Sequence, residues 1–247
     1  MRLTIIGLLV AATMAATGST VSANDLNLNC ELNTAFVSRS LFNNTGTFAT
    51  MPGGANLSYL DCTHTPTGIY ANIWGSLPFK DFNVGNEVDT RLGWRGSVSG
   101  FDIDASVAEY NFGVGRLGRF NTFDARFGVA STIGLGGGFS IRPYVTADYQ
   151  HSITLHGNDL GIGGGEVISA KLSPKLTASV DGAAWYHPVA EYNPGKGPVW
   201  SVAPKVSYAI TDKLSVGPLA MFTWGDVTRP GNYQIKSMVG GFVSLKF

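Results

Sequence analysis

The stretch Tyr233 to Phe247 constrains the fold more than any other. One alternate set of residues is apolar or small: Tyr233, Ile235, Ser237, Val239, Gly241, Val243, Leu245 and Phe247. The other set, Gln234, Lys236, Met238, Gly240, Phe242, Ser244 and Lys246, is more polar. A period of two is the signature of a β-strand with two unlike faces. A strand of that length exceeds the usual soluble strand of about five or six residues. The pattern predicts the closing strand of a membrane β-barrel, ending on the aromatic Phe247, rather than an edge strand of a secreted sandwich.

The N-terminal residues read as an export signal. Arg2 is a minimal basic region, Leu3 to Ala12 is apolar, and Val21-Ser22-Ala23 fits a small-residue cleavage site. The expected organisation is a signal peptide over 1–23 and one barrel domain over 24–247. The apolar run is shorter than the roughly 20 residues of a spanning helix. A membrane span elsewhere must then be a closed sheet, because lipid leaves no partner for free backbone groups. Only 14% of residues are charged, and 32 are glycine. Such a chain has few charges for a soluble surface, and lipid-facing strands around a polar lumen give that mixture. The 17 basic and 17 acidic residues balance, which argues against a nucleic-acid partner.

The period-two pattern predicts an all-β, antiparallel transmembrane barrel of about twelve strands. The expected strands are Leu26–Val37, Ala55–Cys62, Gly68–Leu77, Glu87–Arg95, Phe101–Tyr110, Thr122–Ser131, Phe139–Gln150, Glu166–Leu172, Lys175–Tyr186, Val199–Ile210, Leu214–Trp224 and Tyr233–Phe247. Short connections alternate with long Gly-, Asn- and Pro-rich ones, as short periplasmic turns alternate with long external loops in outer-membrane barrels. An even strand number then places both termini in the periplasm. Aromatics on the outward parity form two rows. Phe123, Tyr149, Trp200, Trp224 and Tyr233 fall at loop ends, and Trp94, Phe101, Phe139, Tyr208 and Phe247 at turn ends. Two such rows match the two headgroup levels of a bilayer. Pro143, Pro204 and Pro218 lie inside expected strands, where each removes a ladder donor and disturbs the register.

The inward parity carries the candidate site. Glu87, Asp89, Arg91 and Arg95 are expected to face the lumen, with Asp102, Asp104, Asp124, Arg126, Arg142 and Asp148. Later strands add Asp181, Lys205, Lys236 and Lys246. A symmetric turn at Val98-Ser99 would set Arg95 opposite Asp102. Charges of both signs around water suit a channel for small hydrophilic solutes or ions. The same charges can instead pair into a network that plugs a narrow barrel. Cys30 and Cys62 fall at the same ends of neighbouring strands, so a cross-strand disulfide and two free thiols both stand as readings.

Other chemistries find little support. No ligand spacing for a metal occurs, and no cofactor motif. Gly161 to Gly165 lacks the Lys and helix of a phosphate loop and reads as a flexible external loop. Asn43-Asn44-Thr45 matches a glycosylation pattern only formally. A lipid-modifying barrel enzyme needs a Ser beside a His base, and His64, His151, His156 and His187 all read as turn or loop residues. A non-conducting barrel that anchors or binds through its loops is the main alternative to a channel. The expected partners are outer-membrane lipid, the solute, and the barrel-assembly machinery reached through the strand ending at Phe247.

Phe36-Val37-Ser38-Arg39, Leu57-Ser58-Tyr59, Gly68 to Ser76 (GIYANIWGS), and Asn86-Glu87-Val88-Asp89 with Gly93 carry a family likeness. Over roughly Leu32 to Tyr110 the chain resembles the TorF-like putative porins. The stretch Ser38-Arg39-Ser40-Leu41 is abbreviated relative to that family. The resemblance implies an outer-membrane location and a transport role, with no catalytic residues.

Overall fold

The computed structural model describes residues 26–41, 50–79, 87–112, 120–153, 156–190, 198–225 and 236–247. The expected signal peptide, the Asn43-Asn44-Thr45 pattern, Tyr233 and Ile235 lie outside them. The chain forms thirteen strands: β1 (Leu28–Leu41), β2 (Thr50–His64), β3 (Ile69–Pro78), β4 (Glu87–Val98), β5 (Phe101–Phe112), β6 (Phe120–Ala130), β7 (Ile133–Gly136), β8 (Phe139–Ser152), β9 (Gly157–Lys171), β10 (Leu176–Ala190), β11 (Val199–Ala209), β12 (Leu214–Gly225) and β13 (Lys236–Lys246).

Apart from β6 and β7, neighbours in sequence pair antiparallel; β1 pairs with β13, and β6 pairs with β8. The result is a closed twelve-strand barrel. The extra strand, β7, is a four-residue piece that pairs only with β8 inside the β6–β8 connection. Closure leaves no free edge, so ladder groups find partners within the wall. Both described chain ends meet at one rim: the Cys30 N–H donates to the Phe247 carbonyl at 3.1 Å, and the Phe247 N–H donates back at 3.0 Å. We call this rim the turn end and the opposite rim the loop end.

The ladders fix which way each side chain points. In β1, Leu32 and Phe36 are exposed, while Asn33, Ala35 and Val37 are buried. The same alternation runs round the wall, with Leu92, Val107, Phe127, Val145, Ile168, Val180 and Val243 on the outside. The outer surface is therefore an aliphatic band, and the polar parity faces the lumen. Phe123 and Tyr149 mark its loop end; Trp94, Phe101, Phe139, Tyr208 and Phe247 mark its turn end, all exposed.

Four expectations are corrected. First, the β4–β5 hairpin is a two-residue turn at Ser99-Gly100, with φ of 52° and 84°. Two positive φ values suit the tight hairpin turns that match strand twist. That turn puts Arg95 opposite Asp104, and Asp102 opposite Ser97. Second, Gly161 to Gly165 is not a loop but part of β9, paired on both sides. Only residues 153–156 separate β8 from β9. Third, His151 and His187 belong to β8 and β10, and His64 closes β2; His156 alone lies in a turn. Fourth, the three prolines leave the register unshifted. Pro143, Pro204 and Pro218 each hold a ladder place opposite Glu166, Val180 and Gly241. Their effect is local: Ala203, Pro204, Val206 and Ser207 form no ladder pair with β12, although the β11–β12 register is the same on either side.

Cys30 and Cys62 sit directly opposite each other on β1 and β2 and are joined in a disulfide. Their parity is outward, at the turn end.

Candidate functional site

The lumen has two unlike walls. On one, β4, β5, β6 and β8 each place alternate polar residues inward. Gly93 lies between the inward Arg91 and Arg95, and a Cβ there would fall within 2.7 Å of Tyr70, Ala105 and Ser106 atoms. Its absence lets the Tyr70 ring close over the wall. Arg91 Nη1 donates to Ser106 Oγ at 2.7 Å, and Nη2 donates to Tyr110 Oη at 2.8 Å and to Asp124 Oδ2 at 3.1 Å. Tyr110 Oη in turn donates to the same carboxylate oxygen at 3.0 Å. The Asp124 side chain is fully buried and Arg91 is 14% exposed. A charge pair so enclosed is held by the hydrogen bonds around it as much as by its own attraction.

Nearer the turn end, Arg95 makes a two-pronged contact with Asp61, 3.1 Å and 3.0 Å from its two Nη atoms. Its guanidinium carbon lies over the Tyr70 ring, 3.7 Å from the ring centre, the cation–π placement that arginine favours. Tyr70 Oη donates to Asp104 at 2.8 Å, and Asp104 lies 3.9 Å from Arg95 Nε. Arg142 stands 3.7 Å from Asp102, and Tyr144 Oη donates to Asp181 at 2.9 Å.

All ten candidate lumen residues lie on the inward parity. Six of them, Arg91, Arg95, Asp102, Asp104, Arg126 and Arg142, line one cavity of about 710 Å3 with Tyr70, Tyr144 and Asp181. The remaining four, Glu87, Asp89, Asp124 and Asp148, do not line it; they are buried nearer the loop end. The lumen is therefore wide towards the turns and filled towards the loops.

Sequence reasoning missed Asp61, Tyr70 and Tyr110, each of which lies on the inward parity of its own strand. It also missed a buried pair at the loop end, where His187 Nδ1 and Asp159 Oδ1 are 3.1 Å apart. The glycines of β9 make room beside it. A Cβ on Gly163 would strike the buried Trp185 ring, and one on Gly161 would come 2.8 Å from Asp148.

Towards the loop end the opposite wall is apolar, whereas nearer the turns it carries Glu31, bonded by Tyr59 and Ser244. Ala35, Val37, Ala55, Met238 and Phe242 form a buried cluster, backed by Leu57, Leu219 and Met221. These residues come from β1, β2, β12 and β13 and project inward, so they fill that side of the lumen. Lys205 reaches over the Phe242 ring, its Nζ 4.0 Å from the ring centre.

Among solved structures the chain is similar to the NanC porin, at 10% identity and a TM-score of 0.55, over 87% of this chain and 100% of that one. It is similar to the KdgM porin in complex with disordered oligogalacturonate, at 9% identity and 0.52, over 89% and 99%. An outer-membrane channel from Pseudomonas putida F1 aligns at 11% identity and 0.50, over 90% and 96%. No protein-family model and no curated protein matches the sequence. At such identity the likeness is one of fold, and that fold points to the bacterial outer membrane.

Proposed function

We propose that this chain is an outer-membrane porin that passes small hydrophilic solutes or ions by passive diffusion. The observation that carries this reading is a closed barrel whose inward charges of both signs surround an open cavity of about 710 Å3. Water in that cavity can hydrate a solute while fixed charges sort it. Arg91 and Arg95 are each matched by carboxylates, and Arg142 stands near Asp102. Such matching suits small solutes of either sign better than a polyanion, which needs a run of uncompensated cations. In the same reading residues 1–23 are a cleaved export signal, both termini face the periplasm, and the strand ending at Phe247 addresses the assembly machinery. The TorF-like motifs between Leu32 and Tyr110 fit a member of that putative porin group. No catalysis is assigned: the inward His187 is engaged by Asp159 rather than by a serine.

A second reading has its own support. The loop-end half of the lumen is filled by buried side chains, among them Asp124, Asp148, Asp159 and His187. A barrel closed there would anchor or bind without conducting. Single-channel recording in planar bilayers separates the two. Discrete conductance steps that shift in Arg95→Ala and Asp102→Ala support the porin. A silent bilayer across voltages and salts, with protein that still shows heat-modifiable gel mobility, sinks it.

A further inference from the structure

Among the described residues, the outer wall carries a carboxyl for which the barrel offers no partner. Glu166 lies on β9 with outward parity, exposed, between Ile162 and Gly164 on one side and Ile168 and Ala170 on the other. The turn-end aromatic Phe139 is opposite Ala170, four residues away. At ~3.4 Å per residue and a strand tilt of about 40°, Glu166 sits roughly 10 Å inside an apolar band about 25 Å tall. That is near the middle of the hydrocarbon. Among the described residues nothing hydrogen-bonds to it or pairs with it. Another outward polar set, on β1 and β2, behaves differently. Thr34, Asn56 and Ser58 bond to one another at 2.8 Å and need no outside partner.

The surroundings of Glu166 form a shallow groove of about 450 Å3. Its floor is Gly164, Gly182 and Ala184, and its far side is Trp200 and Trp224. The two tryptophans are directly opposite on β11 and β12. Their indole N–H groups also lack a partner among the described residues. So one patch holds an acceptor without a donor and two donors without an acceptor, and within one barrel they do not meet.

We propose that a second copy of this chain covers the groove, in a two-fold dimer through β9 to β12. A two-fold contact brings the same patch of both copies together. The indole N–H of one copy then reaches the carboxyl of the other, and the glycine floor lets the two walls approach closely. The occupant is chosen by elimination among the groups on the wall. Arg91, Arg95, Arg126, Arg142 and Lys205 all point inward, so a second copy offers none of these cations at mid-wall. The Thr34–Asn56–Ser58 patch lies five or six strands round the wall from β9, on the far side. A head-to-tail contact between opposite walls would run on as an open row. An ionisable group in hydrocarbon is a costly feature that marks a contact or a path.

The test is cross-linking and sedimentation of the full chain. Ala184→Cys places a thiol in the groove, while Ile73→Cys places one on the far wall. Oxidation in membrane vesicles is expected to give a linked dimer for A184C and none for I73C. Gly182 has nothing within 4 Å of a built Cβ, so Gly182→Phe leaves the barrel intact and blocks the groove. The G182F protein is expected to keep heat-modifiable mobility, to lose the A184C cross-link and to sediment as a single barrel in mild detergent. Glu166→Leu is expected to weaken association at least tenfold, a change of about 1.4 kcal/mol. The proposal fails if wild-type protein sediments as one barrel at every detergent concentration. It also fails if A184C links no better than I73C, or links to a different polypeptide. An E166L protein that dimerises as wild type removes the carboxyl from the account. Loss of heat-modifiable mobility in the wild type would instead overturn the barrel reading itself.

Discussion

The two walls of the lumen are built by different forces. On the β4–β8 side the geometry is set by directed contacts: Arg91 to Asp124 and Tyr110, and Arg95 to Asp61 and Tyr70, which reach it from β2 and β3. On the β12–β2 side, towards the loop end, Met238, Val37 and Ala55 are held by packing, and Phe242 by packing with the Lys205 ammonium over its ring. Directed contacts fail all at once when a partner goes, because the remaining charge stays buried. Packing fails by degrees, in proportion to the volume removed. In the proposed porin, the first wall should therefore govern which ions pass and whether the barrel holds its shape; the second should govern how wide the bore is.

The largest effect that could break this contrast lies at Arg91. Arg91→Met leaves Asp124 buried without its cation and should cost about 3–5 kcal/mol, read as a lower urea midpoint for loss of heat-modifiable mobility. An unchanged midpoint would mean that the pair contributes little. Next comes the apolar wall. Met238→Ala should cost about 2 kcal/mol and raise single-channel conductance, with ion selectivity unaltered. A selectivity shift in that variant would end the division of labour between the walls. The smallest stability effect is expected at Arg95, whose side chain is 40% exposed. Arg95→Ala should cost less than about 1 kcal/mol yet move the reversal potential towards cation preference. Asp104→Asn should move it the opposite way.

The charged wall was legible because alternation survives there: in β4 to β8 the polar and apolar parities are distinct, and every candidate lumen residue falls on the inward side. What alternation cannot give is pairing. The partner of Arg95 depends on whether the hairpin turn is centred at Val98-Ser99 or Ser99-Gly100, a shift of two residues along the partner strand. It also depends on Asp61, two strands away, which no local pattern connects to Arg95. Gly161 to Gly165 was misread because glycine signals a loop by its freedom. Here it is strand because Trp185 and Asp148 need the space that its missing side chain leaves. His187 was misread with it, since β10 runs on past Tyr186 through an irregularity before Val189.

The missing rungs between β11 and β12 have a mechanical consequence. A tube joined evenly along every stave resists being squashed, whereas one with a slack joint ovalises about that joint. Pro204 and Pro218 supply such a joint beside the apolar wall, so the cross-section can flatten or round there without any loop moving. A barrel of this make can alter its aperture by breathing through its side.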